Sequence, residues 1–249
     1  MLLSSFFVEH PDVAIAFSGG TDSAYLLYAA MRWGHRVRAY YVKSALQPQF
    51  EWEDARKIAA FLGADMVALE ADILSCSAVA ENGPERCYYC KKELFSLIAQ
   101  RAAEDGFPVL ADGTNASDSA DDRPGMRALQ ELQVRSPLRE CGLTKTEIRR
   151  LSQEAGLFTW RKPAYACLAT RIPTGEIITR EKLIRTEWAE QYLFSLGFHN
   201  FRVRLFHGAA RIQIPTEQLG LMMEKRAMVF KALSREYDGV LLDLEVRHV

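Results

Sequence analysis

The first part of the chain alternates short apolar runs with longer segments of helical spacing. Four apolar runs are typical of buried strands, at residues 13–17, 37–42, 66–69 and 109–111. Helical spacing follows three of these runs, at residues 24–31, 51–62 and 91–104. A further helix is predicted after Thr144, which forms a capping box with Glu147, and it ends at Gly156. Strands joined by helices form a parallel sheet with helices on both faces, so the pattern predicts an α/β fold.

The pattern changes after residue 157. Pro163, Pro173 and Gly175 interrupt it, which is typical of a loop at a domain junction. Beyond the junction we expect a compact α+β unit. Its predicted elements are a helix at 180–196, strands at 201–206, 210–214 and 240–246, and a helical region at 217–235. The predicted organisation is therefore a first domain at 1–157, an active-site loop at 158–177, and a smaller domain at 178–249.

A polar hexapeptide separates the first predicted strand from the first predicted helix. It consists of Ser18, Gly19, Gly20, Thr21, Asp22 and Ser23. A strand, a Gly-Gly turn and a helix start bring unpaired backbone N–H groups and the positive end of the helix dipole to one point, which suits a phosphate chain. No G-x-x-x-x-G-K-[ST] loop of the kinase type occurs in the chain. A turn that merely caps a helix is the alternative, and the complete hexapeptide in this position favours phosphate binding.

Composition limits the classes of function. The 249 residues carry a formal net charge of −1, whereas a protein that binds tRNA usually has a strongly basic face, so no nucleic-acid partner is expected. No apolar stretch has the length of a membrane span, and the apolar N-terminus lacks the basic region and cleavage site of a signal peptide. We therefore expect a cytoplasmic protein without a membrane partner. Five cysteines, an odd number, indicate reduced thiols rather than a disulfide framework.

A second polar turn follows the predicted strand at 109–111. It contains Asp112, Gly113, Thr114 and Asn115, and it lies at the same edge of the sheet as the hexapeptide because carboxyl ends of parallel strands meet there. Its polar side chains can bind a nucleotide or coordinate Mg²⁺, and Gly113 lets the backbone approach closely. An ordinary Asp-Gly turn is the alternative.

Three of the cysteines occur in settings that suit chemistry. Cys87 and Cys90 form a C-x-x-C at a helix start, which can be a redox dithiol, half a zinc site or part of an iron–sulfur site. Cys167 lies in the disrupted junction near Arg171, whose positive charge favours a thiolate. Cys76 and Cys141 are interpreted as small buried hydrophobic residues.

The motifs together resemble a known family. The hexapeptide matches the SGGxDS signature of the PP-loop ATP pyrophosphatases at every fixed position. Over essentially the whole chain, the order of motifs resembles the LarE family, sulfur transferases that help to build the nickel-pincer nucleotide cofactor of lactate racemase. The motifs are the hexapeptide, Arg86 to Lys91, Asp112 to Asn115, Ser136 to Leu138, Cys167 to Arg171 and Gly175 to Thr179. The Cys167 run and the Gly-Glu-x-Ile-Thr run after it are specific to the family.

The resemblance implies a reaction in two steps. Mg·ATP adenylates a carboxylate of pyridinium-3,5-biscarboxylic acid mononucleotide, a small-molecule nucleotide, and sulfur then displaces AMP to give a thiocarboxylate. The resemblance implies homo-oligomers and assigns catalytic roles to Cys167, Asp22 and Glu190. It implies ATP and pyrophosphate contacts for Ser18, Gly19, Gly20, Thr21, Asp22, Ser23, Gly113, Thr114 and Arg171, and Mg²⁺ binding for Asp112. Arg202 and Arg204 resemble an Arg-x-Arg pair that holds the substrate phosphate, whereas Gln213 stands where we expect Glu in many relatives.

Two sources of sulfur remain open. In the best-known members one cysteine, corresponding to Cys167, gives up its sulfur and becomes dehydroalanine. In some PP-loop thiolases a C-x-x-C and a distant cysteine hold a [4Fe-4S] cluster with one open iron, and Cys87, Cys90 and Cys167 have that order. Alternatives of other classes are an amidotransferase of the NAD or GMP synthetase kind, a tRNA thiolase, and a nucleotide-binding regulator without activity.

Overall fold

The computed structural model describes residues 2–118 and 124–247 of the chain. The described residues form two compact units. The first unit comprises Met1–Ile73 and Glu85–Ala164, and the second comprises Leu74–Pro84 and Tyr165–Val249. The boundaries predicted from the sequence, 1–157, 158–177 and 178–249, stay a prediction, because compact packing does not test which segments fold independently.

A four-stranded parallel sheet forms the centre of the first unit. Its strands are β1 (Asp12–Ala16), β2 (Arg36–Lys43), β3 (Met66–Glu70) and β4 (Val109–Ala111). Their spatial order is β3-β2-β1-β4, and all three pairings are parallel. The α/β fold predicted from the apolar runs is therefore confirmed.

Ten α-helices occur in the described residues. In chain order they are α1 (Leu3–Glu9), α2 (Thr21–Trp33), α3 (Gln49–Leu62), α4 (Ser77–Ala80), α5 (Arg86–Glu104), α6 (Pro124–Glu131), α7 (Pro137–Glu140), α8 (Lys145–Glu154), α9 (Arg180–Ser195) and α10 (Leu219–Leu233). The capping box of Thr144 and Glu147 at the start of α8 is confirmed. The short helices α1, α4, α6 and α7 were not predicted, because one or two turns give too little periodicity to be recognised. None of the described helices is long and apolar enough to span a membrane.

Helices cover both faces of the sheet, as predicted. Successive strand residues point to opposite faces, so Ile15 packs into one apolar cluster and Ala14 into another. The first cluster contains buried residues of α1, α2, α3 and α8, and the second contains Ile98 and Ala102 of α5. Burial on both faces explains why the strands read as continuous apolar runs rather than as alternating ones.

A smaller sheet forms part of the second unit. Its strands are β5 (Arg202–Phe206), β6 (Ala209–Gln213) and β7 (Val240–Leu242), in that spatial order. The predicted hairpin at His207 and Gly208 is confirmed, and β7 joins β6 in parallel. Strand β7 is shorter than the predicted 240–246, because the Asp243 carboxylate accepts the backbone N–H of Glu245 and turns the chain.

The segment Leu74–Pro84 belongs to the second unit although it interrupts the sequence of the first. Asn82 is buried with φ at +55°, and its side-chain amide donates to the carbonyls of Ile172 and Pro173 at 3.3 and 2.8 Å. Its own carbonyl accepts the N–H of Gly175 at 2.9 Å. Asn82 therefore holds the stretch of chain that follows Arg171.

Candidate functional site

The hexapeptide lies where the sequence predicts it, between the end of β1 and the first turn of α2. Gly20 precedes the helix in extended backbone, and no side chain among the described residues caps α2. The hydroxyls of Ser18 and Ser23 contact each other at 3.0 Å, and Ser23 Oγ also accepts the N–H of Ser18 at 3.3 Å. The N–H groups of the first helical turn are thus left for an anion, which the helix dipole also favours.

Two glycines are required for the close approach of backbone at this loop. Gly19 has φ at +71°, and a Cβ on it would lie 2.8 Å from the Cα of Ala55 in α3. A Cβ on Gly113 would lie 2.9 Å from the backbone nitrogen of Ser23. Both distances are shorter than a carbon atom tolerates. The Asp112–Asn115 turn therefore packs directly on the start of α2, which brings the two predicted motifs together.

Asp22 contacts residues from two other parts of the first unit. Its Oδ2 accepts the ammonium of Lys145 at 2.6 Å and the side-chain amide of Asn115 at 3.4 Å. Its Oδ1 is buried and accepts no hydrogen bond from the described residues. A buried acceptor without a donor costs about 1–3 kcal/mol. A cation bound to a phosphate chain at the loop would remove that cost, so Asp22 fits the role of a Mg²⁺ ligand.

Two lysines at the loop were not found by the sequence analysis. Lys145 is the first residue of α8, where a positive charge opposes the helix dipole. This unfavourable position was visible in the sequence and could have marked Lys145 as a functional residue. Lys162 contacts Asp54 at 2.9 Å and the carbonyl of Gly19 at 3.5 Å, with 13% of its side chain exposed. Both ammonium groups add positive charge where phosphates are predicted to bind.

Several side chains that were predicted to contact the nucleotide form hydrogen bonds within the protein. The hydroxyl of Thr21 donates to the carbonyl of Thr159 at 2.8 Å. The carboxylate of Asp112 accepts the hydroxyls of Thr114 and Ser136 at 2.5 and 2.7 Å, so it holds its own turn in shape. Direct roles of Thr21, Thr114 and Asp112 toward ATP or Mg²⁺ stay predictions.

The C-x-x-C pair begins a long helix, as predicted. Cys87 is exposed in the first turn of α5, 3.4 Å from a guanidinium nitrogen of Arg86, and Cys90 is partly buried. None of the five cysteines forms a disulfide within the described residues. Burial raises the pKa of the Cys141 thiol, and the nearby Glu140 adds to this effect. Cys141 is therefore a protonated thiol at neutral pH, in line with its predicted structural role.

Cys167 directly precedes a 3₁₀ turn in the second unit, formed by Leu168–Arg171. Its carbonyl accepts the N–H and the hydroxyl of Thr170 at 3.0 and 2.9 Å, and a guanidinium nitrogen of Arg171 at 3.4 Å. The same guanidinium nitrogen donates to the carbonyl of Ala166 at 2.9 Å. Hydrogen bonds on both sides of Cys167 thus fix the backbone that carries its thiol.

Arg171 is itself held by Glu190 of α9. Nε and Nη2 of Arg171 donate to the two carboxylate oxygens at 2.8 and 3.2 Å, and the two side chains are 0% and 3% exposed. Glu190 also accepts the hydroxyl of Tyr165 and the N–H of Val203. Burial alone would lower the pKa of Arg171, but the hydrogen bonds to Glu190 and the negative charge of Glu190 together outweigh it, with smaller contributions from Tyr165 and Cys167, and raise that pKa. The pair positions Cys167. The predicted ATP contact of Arg171 and the predicted catalytic role of Glu190 stay predictions.

Arg202 and Arg204 lie on β5, two residues apart and therefore on one face of the sheet. They donate to the carbonyls of Phe201 and Thr170 at 2.7 and 2.9 Å. Burial, together with the positive charges of Arg171 and Arg247, lowers the pKa of Arg202 to about 10. The surroundings of these guanidiniums are thus rich in positive charge, as expected of an anion site.

The described residues contain no group of three or more histidine, cysteine or acidic side chains placed to hold a metal ion. Cys87 and Cys90 belong to the first unit and Cys167 to the second, so neither unit contains all three predicted cluster ligands. The [4Fe-4S] cluster on these three cysteines therefore stays a prediction. Mg²⁺ differs, because one carboxylate together with substrate phosphates is a common way to bind it.

Comparisons with known proteins add a family to this geometry. No family model matches the chain. The chain is 39% identical to an uncharacterized protein of Synechocystis sp. over 87% of its own length and 81% of the relative. It is 25% identical to the tRNA-specific 2-thiouridylase MnmA of Thermotoga petrophila, over 60% of its own length and 54% of that enzyme, which indicates the PP-loop fold.

A third relative shows the family of the chain. The chain is 37% identical to the pyridinium-3,5-bisthiocarboxylic acid mononucleotide synthase of Lactiplantibacillus plantarum, over 84% of its own length and 76% of that enzyme. At this identity over most of its length, this chain belongs to the LarE family of PP-loop enzymes.

Proposed function

We propose that this protein is an ATP-dependent sulfur transferase that converts the carboxylates of pyridinium-3,5-biscarboxylic acid mononucleotide to thiocarboxylates, for the nickel-pincer cofactor of lactate racemase. The observation that carries the proposal is the 37% identity to a synthase of the bisthiocarboxylic acid mononucleotide. The phosphate loop supports the first half of the reaction, and the turn that carries Cys167 supports the second. A small-molecule nucleotide substrate and an enzymatic role accord with the same relative.

The first half is adenylation. A substrate carboxylate oxygen attacks the α-phosphorus of ATP, the bond from that phosphorus to the bridging oxygen breaks, and pyrophosphate leaves. The backbone N–H groups at the start of α2 would hold the leaving phosphates. Asp22 would hold Mg²⁺, which neutralises phosphate charge when bound, and Lys145 adds a second cation at 2.6 Å from Asp22.

The second half is transfer of sulfur. The Cys167 thiolate attacks the acyl carbon of the adenylate, and AMP leaves with the electron pair of the broken C–O bond. Loss of the Cα proton of Cys167 and cleavage of its Cβ–Sγ bond then release the thiocarboxylate and leave dehydroalanine. The hydrogen bonds of Arg171 and Thr170 to the Cys167 carbonyl hold the backbone that carries the thiol.

Incubation with Mg·ATP and the pyridinium dicarboxylate mononucleotide tests this proposal. We expect pyrophosphate, AMP and thiocarboxylate by mass spectrometry, with the protein losing the mass of H₂S at Cys167. Cys167→Ala should still release pyrophosphate but form no thiocarboxylate. Cys141→Ala is the matched control, since its thiol is protonated and partly buried. Thiocarboxylate formation by Cys167→Ala at the wild-type rate would contradict the proposal.

The same variants separate the alternatives. An iron–sulfur route requires an absorbing cluster after anaerobic reconstitution, lost in Cys87→Ala, and repeated turnovers without loss of mass. An amidotransferase would form a carboxamide from ammonia with Cys167→Ala as active as wild type. A tRNA thiolase would bind and modify tRNA. A regulator would release no pyrophosphate with any of these substrates.

A further inference from the structure

Two side chains that flank Cys167 in the sequence contact the same carboxylate. Tyr165 precedes Cys167 by two residues, and Arg171 follows it by four. The hydroxyl of Tyr165 donates to Oε2 of Glu190 at 2.5 Å. Nη2 of Arg171 donates to the same oxygen at 3.2 Å, and its Nε donates to Oε1 at 2.8 Å. Residues 165–171, called the Cys167 loop below, are therefore closed by one carboxylate that joins both ends.

Glu190 holds both ends of the Cys167 loop in place. It is buried on α9, and its Oε1 also accepts the backbone N–H of Val203 in β5 at 3.0 Å. Each carboxylate oxygen thus has two donors, which fills the acceptor capacity of the group. The loop is therefore attached to a helix and a strand of the second unit through a carboxylate that has little freedom to move.

The ring of Tyr165 makes further contacts within the second unit. The guanidinium carbons of Arg171 and Arg202 lie 4.5 and 5.0 Å from the ring centroid, within the range of a cation–π interaction. Burial and then the positive charge of Arg171 lower the pKa of Arg202 to about 10, so the two cations repel each other. The π face of Tyr165 attracts both cations and so helps to keep Arg171 where it binds Glu190.

We propose that Tyr165 is a positioning residue for sulfur transfer, because it fixes the chain before Cys167 as Arg171 fixes the chain after it. This inference rests on the proposed function, since that function makes the thiol of Cys167 the nucleophile. Attack requires the reacting atoms to be about 3–3.5 Å apart, and a displacement of about 1 Å costs roughly a hundredfold in rate. Without the hydroxyl of Tyr165, the first end of the Cys167 loop loses its contact with Glu190, and the thiol occupies more positions.

Tyr165→Phe tests the hydroxyl, since phenylalanine keeps the ring. In a single turnover we expect thiocarboxylate formation to slow roughly ten- to a hundredfold. Pyrophosphate release should keep its rate, because the phosphate loop belongs to the first unit. Tyr165→Leu, which removes the ring as well, should slow thiocarboxylate formation further. Tyr192→Phe is the matched control, because that hydroxyl lies on the same helix as Glu190 and donates to the carbonyl of Met228 at 3.4 Å.

Amide hydrogen exchange gives a second readout that needs no substrate. The N–H of Thr170 donates to the carbonyl of Cys167 at 3.0 Å. The N–H of Ile172 donates to the carbonyl of Ala169 at 3.2 Å. In Tyr165→Phe both N–H groups should exchange roughly tenfold faster or more, because local opening of the Cys167 loop becomes easier. The amides of α10, in the same unit, should keep their rates.

A merely structural role of Tyr165 would give a different result. It would accelerate exchange throughout the second unit, α10 included, and lower the melting temperature by circular dichroism. It would not separate the rate of thiocarboxylate formation from the rate of pyrophosphate release. Slower thiocarboxylate formation with faster exchange confined to the Cys167 loop and Ile172 is the result that supports positioning.

The outcomes also separate this inference from the proposed function. Thiocarboxylate formation by Tyr165→Phe at the wild-type rate would overturn the inference and leave the function standing. Equal slowing of pyrophosphate release, or slower sulfur transfer without faster exchange in the Cys167 loop, would overturn the inference too. No thiocarboxylate from the wild type would overturn the proposed function. Locally faster exchange in Tyr165→Phe would then still support a loop fixed by Tyr165, and unchanged exchange would overturn that as well.

Discussion

Asp22 is the residue on which the phosphate site depends, because one of its carboxylate oxygens is buried without a hydrogen bond from the described residues. The hexapeptide motif predicted a polar residue at a helix start. It did not indicate which partners that residue has, because Lys145 and Asn115 come from distant positions in the sequence. Contacts over such separations depend on how the sheet brings loops together.

Gly113 gives the first residue-scale prediction. Gly113→Ala should destabilise the protein by about 1–3 kcal/mol and weaken ATP binding, because the new methyl group would meet the backbone of Ser23. Urea unfolding and ATP titration measure the two effects. Gly220→Ala is the control, since space is open at Gly220 within α10 and alanine there should be neutral or slightly stabilising. Equal stability in urea and equal ATP affinity of the two variants would contradict the role of Gly113.

Lys145 gives the second residue-scale prediction. Lys145→Ala should raise the KM for ATP about tenfold or more, because an ammonium beside Asp22 is lost where the phosphates are predicted to bind. Initial rates of pyrophosphate release at varied ATP measure this. Lys231→Ala, which removes an exposed lysine of α10, serves as the control. An unchanged KM for ATP would assign Lys145 a purely structural role.

At the scale of elements, a hydrogen-bond network joins β2 to the end of α5. Tyr40, with a fully buried ring, donates its hydroxyl to Asp105 at 2.7 Å, and Arg38 and Arg101 contact the same carboxylate at 3.1 Å. The hydrogen bond from Tyr40 lowers the pKa of Asp105 from its ordinary value of 3.8, with Arg101 and Arg38 adding to the effect against burial. Burial and Asp105 in turn raise the pKa of Tyr40 to about 12.

This network predicts sensitivity to acid. Because the pKa of Asp105 is lower in the folded than in the unfolded protein, its stabilisation is complete above 3.8 and is lost as the pH falls through the folded-state value. Tyr40→Phe should raise that pKa toward 3.8, so the loss of stability should be smaller and should be complete at a higher pH. Carboxyl titration by NMR and urea unfolding at falling pH measure the shift. As a control, Tyr28→Phe removes a hydroxyl that accepts a hydrogen bond from the exposed Arg32, and it should leave the profile unchanged.

The elements themselves were largely predictable. Strands β1 to β4 are recognisable as apolar runs, because both faces of the sheet are buried. The long helices are recognisable by helical spacing, because one face of each is buried. Helix α5 begins at Arg86, five residues before the helical spacing recognised at 91–104, and the C-x-x-C lies within its first turns, in line with its predicted place at a helix start. The sequence near 86–90 is polar and aromatic, and it lacks the regular apolar spacing that would reveal a helix.

At the scale of the molecule, the second unit is discontinuous in sequence. The carbonyls of Asn82 and Ala80 accept the N–H groups of Gly175 and Ile178 at 2.9 and 2.8 Å. We predict that a fragment of residues 165–249 is poorly folded by itself, because it lacks these partners and the side chain of Asn82. The same fragment joined through a flexible linker to residues 74–84 should fold better.

Circular dichroism and amide NMR spectra of the two fragments measure this difference. In the joined fragment, Asn82→Ala should remove much of the gain, because the carbonyls of Ile172 and Pro173 lose their donor. Well-dispersed spectra of residues 165–249 alone would contradict the prediction and would favour an independently folding domain near the predicted 178–249.

The sequence by itself determined the α/β class, the phosphate loop, the cysteine-bearing turn and the family they resemble. These features are local, because strand and helix periods, capping and short motifs depend on residues near one another in the chain. Only the tertiary structure decided that Lys145 reaches Asp22 and that Glu190 holds Arg171 beside Cys167. Those contacts join residues far apart in the chain, and no pattern of neighbouring residues records which distant side chains the sheets bring together.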